Sequence, residues 1–107
     1  MSSKGWNVLK IGNIGRIVTG KTPPTQYAEN FGNKYPFITP RDMSGQKRIN
    51  QTERYLSEKG KNEVKNCLLP VNAICVSCIG SDMGKVVMTT TNSITNQQLN
   101  SIICNDS

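Results

Sequence analysis

Ala73-Ile74-Cys75-Val76-Ser77-Cys78-Ile79 is the most strand-like run in the chain, closed off by Pro70 before it and Gly80 after it. A nearly continuous apolar stretch of this length, bounded by turn formers, reads as a central core strand. Working outward, Gly80-Ser81-Asp82-Met83-Gly84 supplies a flexible turn into a second strand, Lys85-Val86-Val87-Met88, and residues 99–104 supply a last one. Upstream, Ser57 can cap a short helix carrying Glu58, Lys59, Glu63 and Val64, although Gly60 weakens it and leaves no capping box. Pro36-Phe37-Ile38-Thr39-Pro40 sets strand formers between two prolines, which fits an edge strand or a strand that ends sharply, with Arg41-Asp42-Met43 opening the loop beyond. Residues 17–19 and 6–9 read as further strands, with a turn or brief helix at 12–14. The fold class is α+β: a β-rich twisted mixed sheet with short helices.

The 107 residues carry 13 Lys+Arg against 7 Asp+Glu, a formal charge of +6. Lys4, Lys10, Arg16, Lys21, Lys34, Arg41, Lys47 and Arg48 face only Glu29 and Asp42 before residue 49, and the later charges cancel, so the whole excess lies in the first 48 residues. That stretch is also rich in Gly, Pro and Thr, as expected of exposed loops, and a localised basic loop region suggests an anionic partner. The hydrophobic share of 36% allows a core, though not a generous one. No apolar run approaches the ~20 residues of a membrane span, and Met1 leads directly into polar sequence, so the expectation is a soluble, cytoplasmic protein without membrane contact.

The chain contains no His. That removes the commonest general base, the Ser/His/Asp and Cys/His nucleophile arrangements, and every His-containing zinc site, which argues against a small hydrolase. Cys75-x-x-Cys78 has the spacing of a zinc knuckle or redox pair, with Cys67 and Cys104 as further thiols. In a strand, however, residues three apart point to opposite faces, so these cysteines read as reduced, buried core thiols. Gly15-Arg16-Ile17-Val18-Thr19-Gly20-Lys21-Thr22 matches the G-x-x-x-x-G-K-[ST] phosphate loop letter for letter. The chemistry needs backbone N–H groups leading into a helix, yet Pro23 and Pro24 remove two donors and Ile17-Val18-Thr19 is strand-like, so the match reads as accidental. Thr22-Pro23-Pro24-Thr25 lacks both the amide or carboxylate acceptor and the stacking aromatic of an amino-methyltransferase motif.

The residues suited to an anionic partner are Lys21, Thr22, Thr39 and Arg41, which flank proline-rigidified turns, and Lys85, which follows a glycine-rich one. Such groups contact phosphates, and Arg can read guanine with its two-pronged fork; the plain alternative is solvated surface charge. Asn96-Gln97-Gln98 could pair with adenine edges, although carboxamides before a strand more often satisfy loop backbone. Tyr27, Phe31, Tyr35 and Phe37 cluster near the basic region and could stack on bases, with Phe37 the best suited to the core.

Taken in order, Trp6, Ile11-Gly12-Asn13-Ile14, Thr19-Gly20-Lys21-Thr22-Pro23, Asn30-Phe31-Gly32, Pro36-Phe37-Ile38-Thr39-Pro40-Arg41-Asp42-Met43, Thr52-Glu53-Arg54-Tyr55-Leu56-Ser57, Ile74-Cys75-Val76-Ser77-Cys78-Ile79-Gly80, Met83-Gly84-Lys85-Val86 and Thr95-Asn96-Gln97-Gln98 resemble a target recognition domain. The series is similar to the specificity (S) subunit of type I restriction-modification systems across essentially the whole chain. The resemblance implies a non-catalytic, sequence-specific reader of double-stranded DNA that directs adenine methylation and restriction. The methyltransferase (M) and restriction (R) subunits would be its partners, and S-adenosylmethionine, ATP and Mg would belong to them, leaving this chain without a cofactor or metal of its own.

The resemblance also implies that residues 1–107 form a single, partial recognition domain, because family members continue with more sheet, a spacer helix and a second recognition domain. Family members reading different targets share much of the Thr-Gly-Lys-Thr-Pro and Thr-Asn-Gln-Gln framework, which points base reading toward the less patterned loops. The alternative reading is the specificity region of a fused type II restriction-methylation enzyme, and a distant third is a small nucleotide-binding protein using Lys21.

Overall fold

The computed structural model describes residues 15–77 and 84–104; the strand read at 6–9, the turn at 12–14, and residues 78–83 lie outside them. The central run forms a strand over Ile74–Ser77, which occupies the middle of a five-stranded sheet. In chain order the strands are β1 (Gly15–Thr19), β2 (Phe31–Gly32), β3 (Tyr35–Ile38), β4 (Arg48–Ile49), β5 (Arg54–Leu56), β6 (Ile74–Ser77), β7 (Val86–Thr89), β8 (Ile94–Thr95) and β9 (Leu99–Cys104). One sheet has the order β1-β9-β6-β7-β4 and the other β2-β5-β3-β8. Both are mixed: β4–β7 and β3–β8 pair in parallel, and the remaining pairs are antiparallel. The β-rich architecture with short helices is therefore present, divided over two sheets.

Alternation along the strands decides what each sheet buries. In β6, Cys75 and Ser77 are buried while Ile74 and Val76 are half-buried; in β7, Val87 and Thr89 turn inward and Val86 outward. β3 is buried on both faces. Ile38 joins Met43, Ile49, Leu69, Ala73, Cys75, Val87 and Leu99 in one core, whereas Phe37, its neighbour, joins Leu56, Val64 and Ile94 in another. A one-residue step along one strand thus ties two hydrophobic clusters together, with each fully buried large side chain contributing about 1.5–3 kcal/mol.

Of the two readings of the 36–40 segment, the sharply ending strand holds: β3 lies between β5 and β8. Pro36 is tolerated there because pairing with β8 begins only at Phe37, so its missing N–H leaves no ladder bond unmade. Arg41-Asp42-Met43 is more ordered than a plain loop. Pro40–Asp42 make one 3-10 turn, nucleated by Pro40 at its first position.

The helix α1 (Glu58–Glu63) starts as the sequence indicates, with Ser57 Oγ accepting from the Gly60 N–H at 3.1 Å. Gly60 has a second role that its helix propensity hides: a Cβ there would overlap the carbonyl of Asn30. Gly20 is equally constrained, since a Cβ would overlap Thr95 Oγ1 and the carbonyl oxygens of Thr95 and Asn96. This close approach fits the end of β1 against the β8–β9 turn. By contrast, Gly45 has φ +97° and open space around its Cα.

Gly20→Ala is therefore expected to cost roughly 2–3 kcal/mol, as overpacking does in a rigid surround. Gly45→Ala should cost about 1 kcal/mol, from the left-handed backbone alone. Urea unfolding followed by circular dichroism ranks the two, and equal losses would contradict the close-approach assignment.

Candidate nucleic-acid interface

The turn at residues 95–98, between β8 and β9, is the hub around which the basic loops gather. Its backbone is held from within: Asn96 Oδ1 accepts from the Gln98 N–H at 3.1 Å. Asn96 thus satisfies loop backbone, as its place before a strand suggests. The Lys21 N–H donates to the Thr95 carbonyl at 3.0 Å, and Thr22 Oγ1 donates to Gln97 Oε1 at 2.7 Å. From the other sheet, the Ile38 carbonyl accepts from the Asn96 N–H at 3.0 Å, which brings the end of β3, and with it Thr39 and Arg41, beside the same turn.

The one-turn helix carrying Arg41 is fixed by Asp42. Its Oδ2 accepts from the Thr39 N–H at 2.9 Å and from Thr39 Oγ1 at 3.1 Å, while its Oδ1 accepts from the Glu53 N–H at 2.9 Å. Arg41 is left exposed at the tip, and neither it nor Lys21 forms an ion pair among the described residues. The ion pairs present there join Lys34 and Lys61 to Glu58 on α1. Lys61 and the Tyr35 hydroxyl, which donates to Glu58 at 3.0 Å, hold the Glu58 carboxyl below its usual range.

Lys85 completes the group at the same end of the five-stranded sheet. Its N–H donates to Ser77 Oγ at 3.1 Å, its carbonyl accepts from the Ser77 N–H at 2.9 Å, and Ser77 is in register with Leu99. Leu99 in turn accepts from the Gly20 N–H at 3.2 Å. Crossing from β1 through β9 and β6 to β7 covers three strand spacings, about 14 Å. Lys21, Thr22 and Lys85 therefore lie at one end of the five-stranded sheet, and Thr39 and Arg41 follow the end of β3 that meets the same turn; Lys21, Arg41 and Lys85 are exposed, and Thr22 and Thr39 half-buried.

Other sequence signals resolve differently. Gly15–Thr19, the start of the phosphate-loop match, is a strand paired residue by residue with β9. Cys75 is buried in β6, and loss of water around it pushes its thiol pKa up; Cys78 lies outside the described residues. Of the aromatic cluster, Phe37 is core, Phe31 and Tyr35 pack against it, and Tyr27 remains exposed beside Lys59. The Arg54 guanidinium lies 5.0 Å and 5.3 Å from the ring centroids of Phe31 and Phe37, a cation–π contact that no sequence pattern indicated. Asn30 is the other residue that sequence reasoning passed over as a single side chain: it is fully buried, and its Nδ2 donates to the Pro24 carbonyl at 2.9 Å.

With this geometry in view, the chain can be set beside known proteins. A family model described as the type I restriction modification DNA specificity domain matches residues 3–107. The specificity subunit of the type I restriction enzyme HindI of Haemophilus influenzae is 43% identical over 103 residues, 96% of this chain and 22% of the relative. That of the type I restriction enzyme MjaIX of Methanocaldococcus jannaschii is 32% identical over 105 residues, 96% of this chain and 24% of the relative. The chain thus spans less than a quarter of these relatives' length. Among solved structures, the HsdS subunit of Thermoanaerobacter tengcongensis superposes with a TM-score of 0.67 at 15% identity, covering 91% of this chain and 23% of that one. A structure concerned with assembly and conformational transition of the type I R-M system gives a TM-score of 0.66 at 16% identity, over 91% of this chain and 23% of that one. At these identities the likeness shows a shared fold.

Asp42→Ala removes an acceptor of three hydrogen bonds from the turn that presents Arg41. The expected loss is roughly 1–3 kcal/mol of stability by urea unfolding, because the Thr39 and Glu53 donors lose their charged partner. An unchanged midpoint would mean that the 3-10 turn is held without Asp42.

Proposed function

The chain belongs to the type I restriction-modification DNA specificity domain family, and on that footing we propose that it is a non-catalytic reader of double-stranded DNA, acting as part of a specificity subunit. The observation that carries the proposal is that Lys21, Thr22 and Lys85 share one end of the five-stranded sheet, while Thr39 and Arg41 follow the end of β3 that meets the same turn at 95–98. Exposed cations gathered there attract the phosphate backbone and release its counterions, which supplies affinity without sequence preference. Selectivity then comes from groups aimed at base edges by rigid, proline- and glycine-shaped loops.

The two threonines have a restricted part in this. Their hydroxyl protons are engaged by Gln97 and Asp42, so they face the duplex as acceptors or shape its contact surface. Direct pairing with phosphate falls to Lys21, Arg41 and Lys85, with the Arg41 guanidinium also able to take guanine O6 and N7 together. Methyltransferase and restriction subunits are the proposed partners, and S-adenosylmethionine, ATP and Mg act on those subunits, with the cytoplasm as the compartment. Among the described residues no helix is long and apolar enough to cross a membrane. The two relatives described as type I specificity subunits support this reading over a fused type II enzyme.

Lys21→Ala and Arg41→Ala should each weaken duplex binding several-fold and reduce the salt dependence by about 0.9 per lost phosphate contact. Titrations between roughly 50 and 200 mM salt, the range over which phosphate contacts are most salt-sensitive, read both quantities. Unchanged affinity and slope in both variants would contradict the assignment of this end as the DNA-facing one.

A further inference from the structure

The loop at residues 20–27 has an unusual problem of support. Pro23 and Pro24 present no N–H, so through its middle the loop cannot be fastened by its own backbone donors. Its first half is tied to the β8–β9 turn through Gly20, Lys21 and Thr22. Its second half is tied to the other sheet, through the Asn30 Nδ2 donating to the Pro24 carbonyl at 2.9 Å. Asn30 is itself immobilised: its N–H donates to the Tyr27 carbonyl at 3.0 Å, its carbonyl accepts from the Ser57 N–H at 3.1 Å, and Gly60 approaches that carbonyl too closely for any side chain.

The other side-chain atom of the same residue shows what this arrangement leaves behind. Asn30 Oδ1 is buried and has no hydrogen-bond partner among the described residues. A buried unpaired acceptor is unfavourable, and an apolar residue of similar size would avoid it. Retaining a carboxamide here makes physical sense when its N–H group has a job, and its one side-chain bond goes to the basic loop.

We propose that Asn30 is a positioning residue for DNA recognition: its buried carboxamide fixes the path of the 20–27 loop, and so the placement of Lys21 and Thr22 on the duplex. The proposal rests on the DNA-reading function above. It goes beyond that reading in assigning selectivity to a residue that never touches DNA. A loop freed at Pro24 keeps its cations and so keeps non-specific attraction, but it loses the fixed geometry that separates one sequence from another.

The test uses the whole 107-residue chain and Asn30→Ala, with Asn30→Leu as a second variant that keeps the buried volume while removing the Nδ2 donor to the Pro24 carbonyl. Two readouts are taken. The first is the backbone order parameters of Thr22, Thr25 and Gln26 by 15N relaxation, expected to fall from about 0.85 toward 0.6 in both variants. The second is the ratio of affinity for a duplex site enriched by the native chain from a randomised pool to affinity for random duplex, expected to drop about tenfold, the size of losing one well-placed contact, with the salt dependence unchanged. Unaltered order parameters overturn the proposal whatever the DNA result. A loosened loop with the ratio intact also overturns it, as does a parallel fall of both affinities, which marks a purely structural residue. Should Asn30→Ala fail to fold, Asn30→Leu decides alone by the same criteria. A native chain with an ordered loop but no selectivity would instead overturn the recognition reading, and the dependent proposal with it.

Discussion

The close approach of Gly20 to the backbone of Thr95 and Asn96 is the constraint on which the rest of this structure depends. With no Cβ in the way, the end of β1 lies against the β8–β9 turn, and the Lys21 N–H reaches the Thr95 carbonyl at 3.0 Å. The Ile38 carbonyl meets the next residue of that turn from the other sheet. A single turn thereby receives strands from both sheets, and the basic loops leaving them emerge side by side.

The two cores explain why this junction is stiff enough to matter. Phe37 and Ile38, adjacent on β3, insert into different hydrophobic clusters, so β3 cannot shift without disturbing both. Close packing of that kind transmits displacement instead of absorbing it. On this base, the 20–27 loop is rigidified by two prolines and pinned at both ends, while Arg41 stands on a one-turn helix held by Asp42. Long charged side chains are mobile at their tips, but here their roots are fixed, which is what recognition of a rigid duplex needs.

Much of the sheet was legible in the sequence because it follows local rules. The run at 73–79 gave the central strand, the last strand spans 99–104 as read, and Ser57 caps its helix. The division into two sheets was not legible, because β2, β4 and β8 have only two residues each and exist through pairing with distant partners. No periodicity can be read from two residues. Gly60 illustrates the same limit: its helix-weakening effect is local, but its necessity comes from Asn30 on another element. The site divides likewise. Residue types and loop positions suggest Lys21, Thr22, Thr39, Arg41 and Lys85 as candidates, whereas what lies beside them depends on contacts such as Thr22 with Gln97, 75 positions apart. The phosphate-loop letters at 15–22 carry the converse lesson, since the two prolines that follow already excluded the helix such a loop requires.

Discrimination of one duplex sequence from another is proposed to rest on the loops gathered around residues 95–98. Selection from a randomised duplex pool at roughly 0.1 M salt, where non-specific electrostatic binding is partly suppressed, tests it most directly. A short motif should be enriched over successive rounds, revealing the half-site this domain reads. Salt-sensitive binding with no enriched motif, or no binding at all, would contradict it.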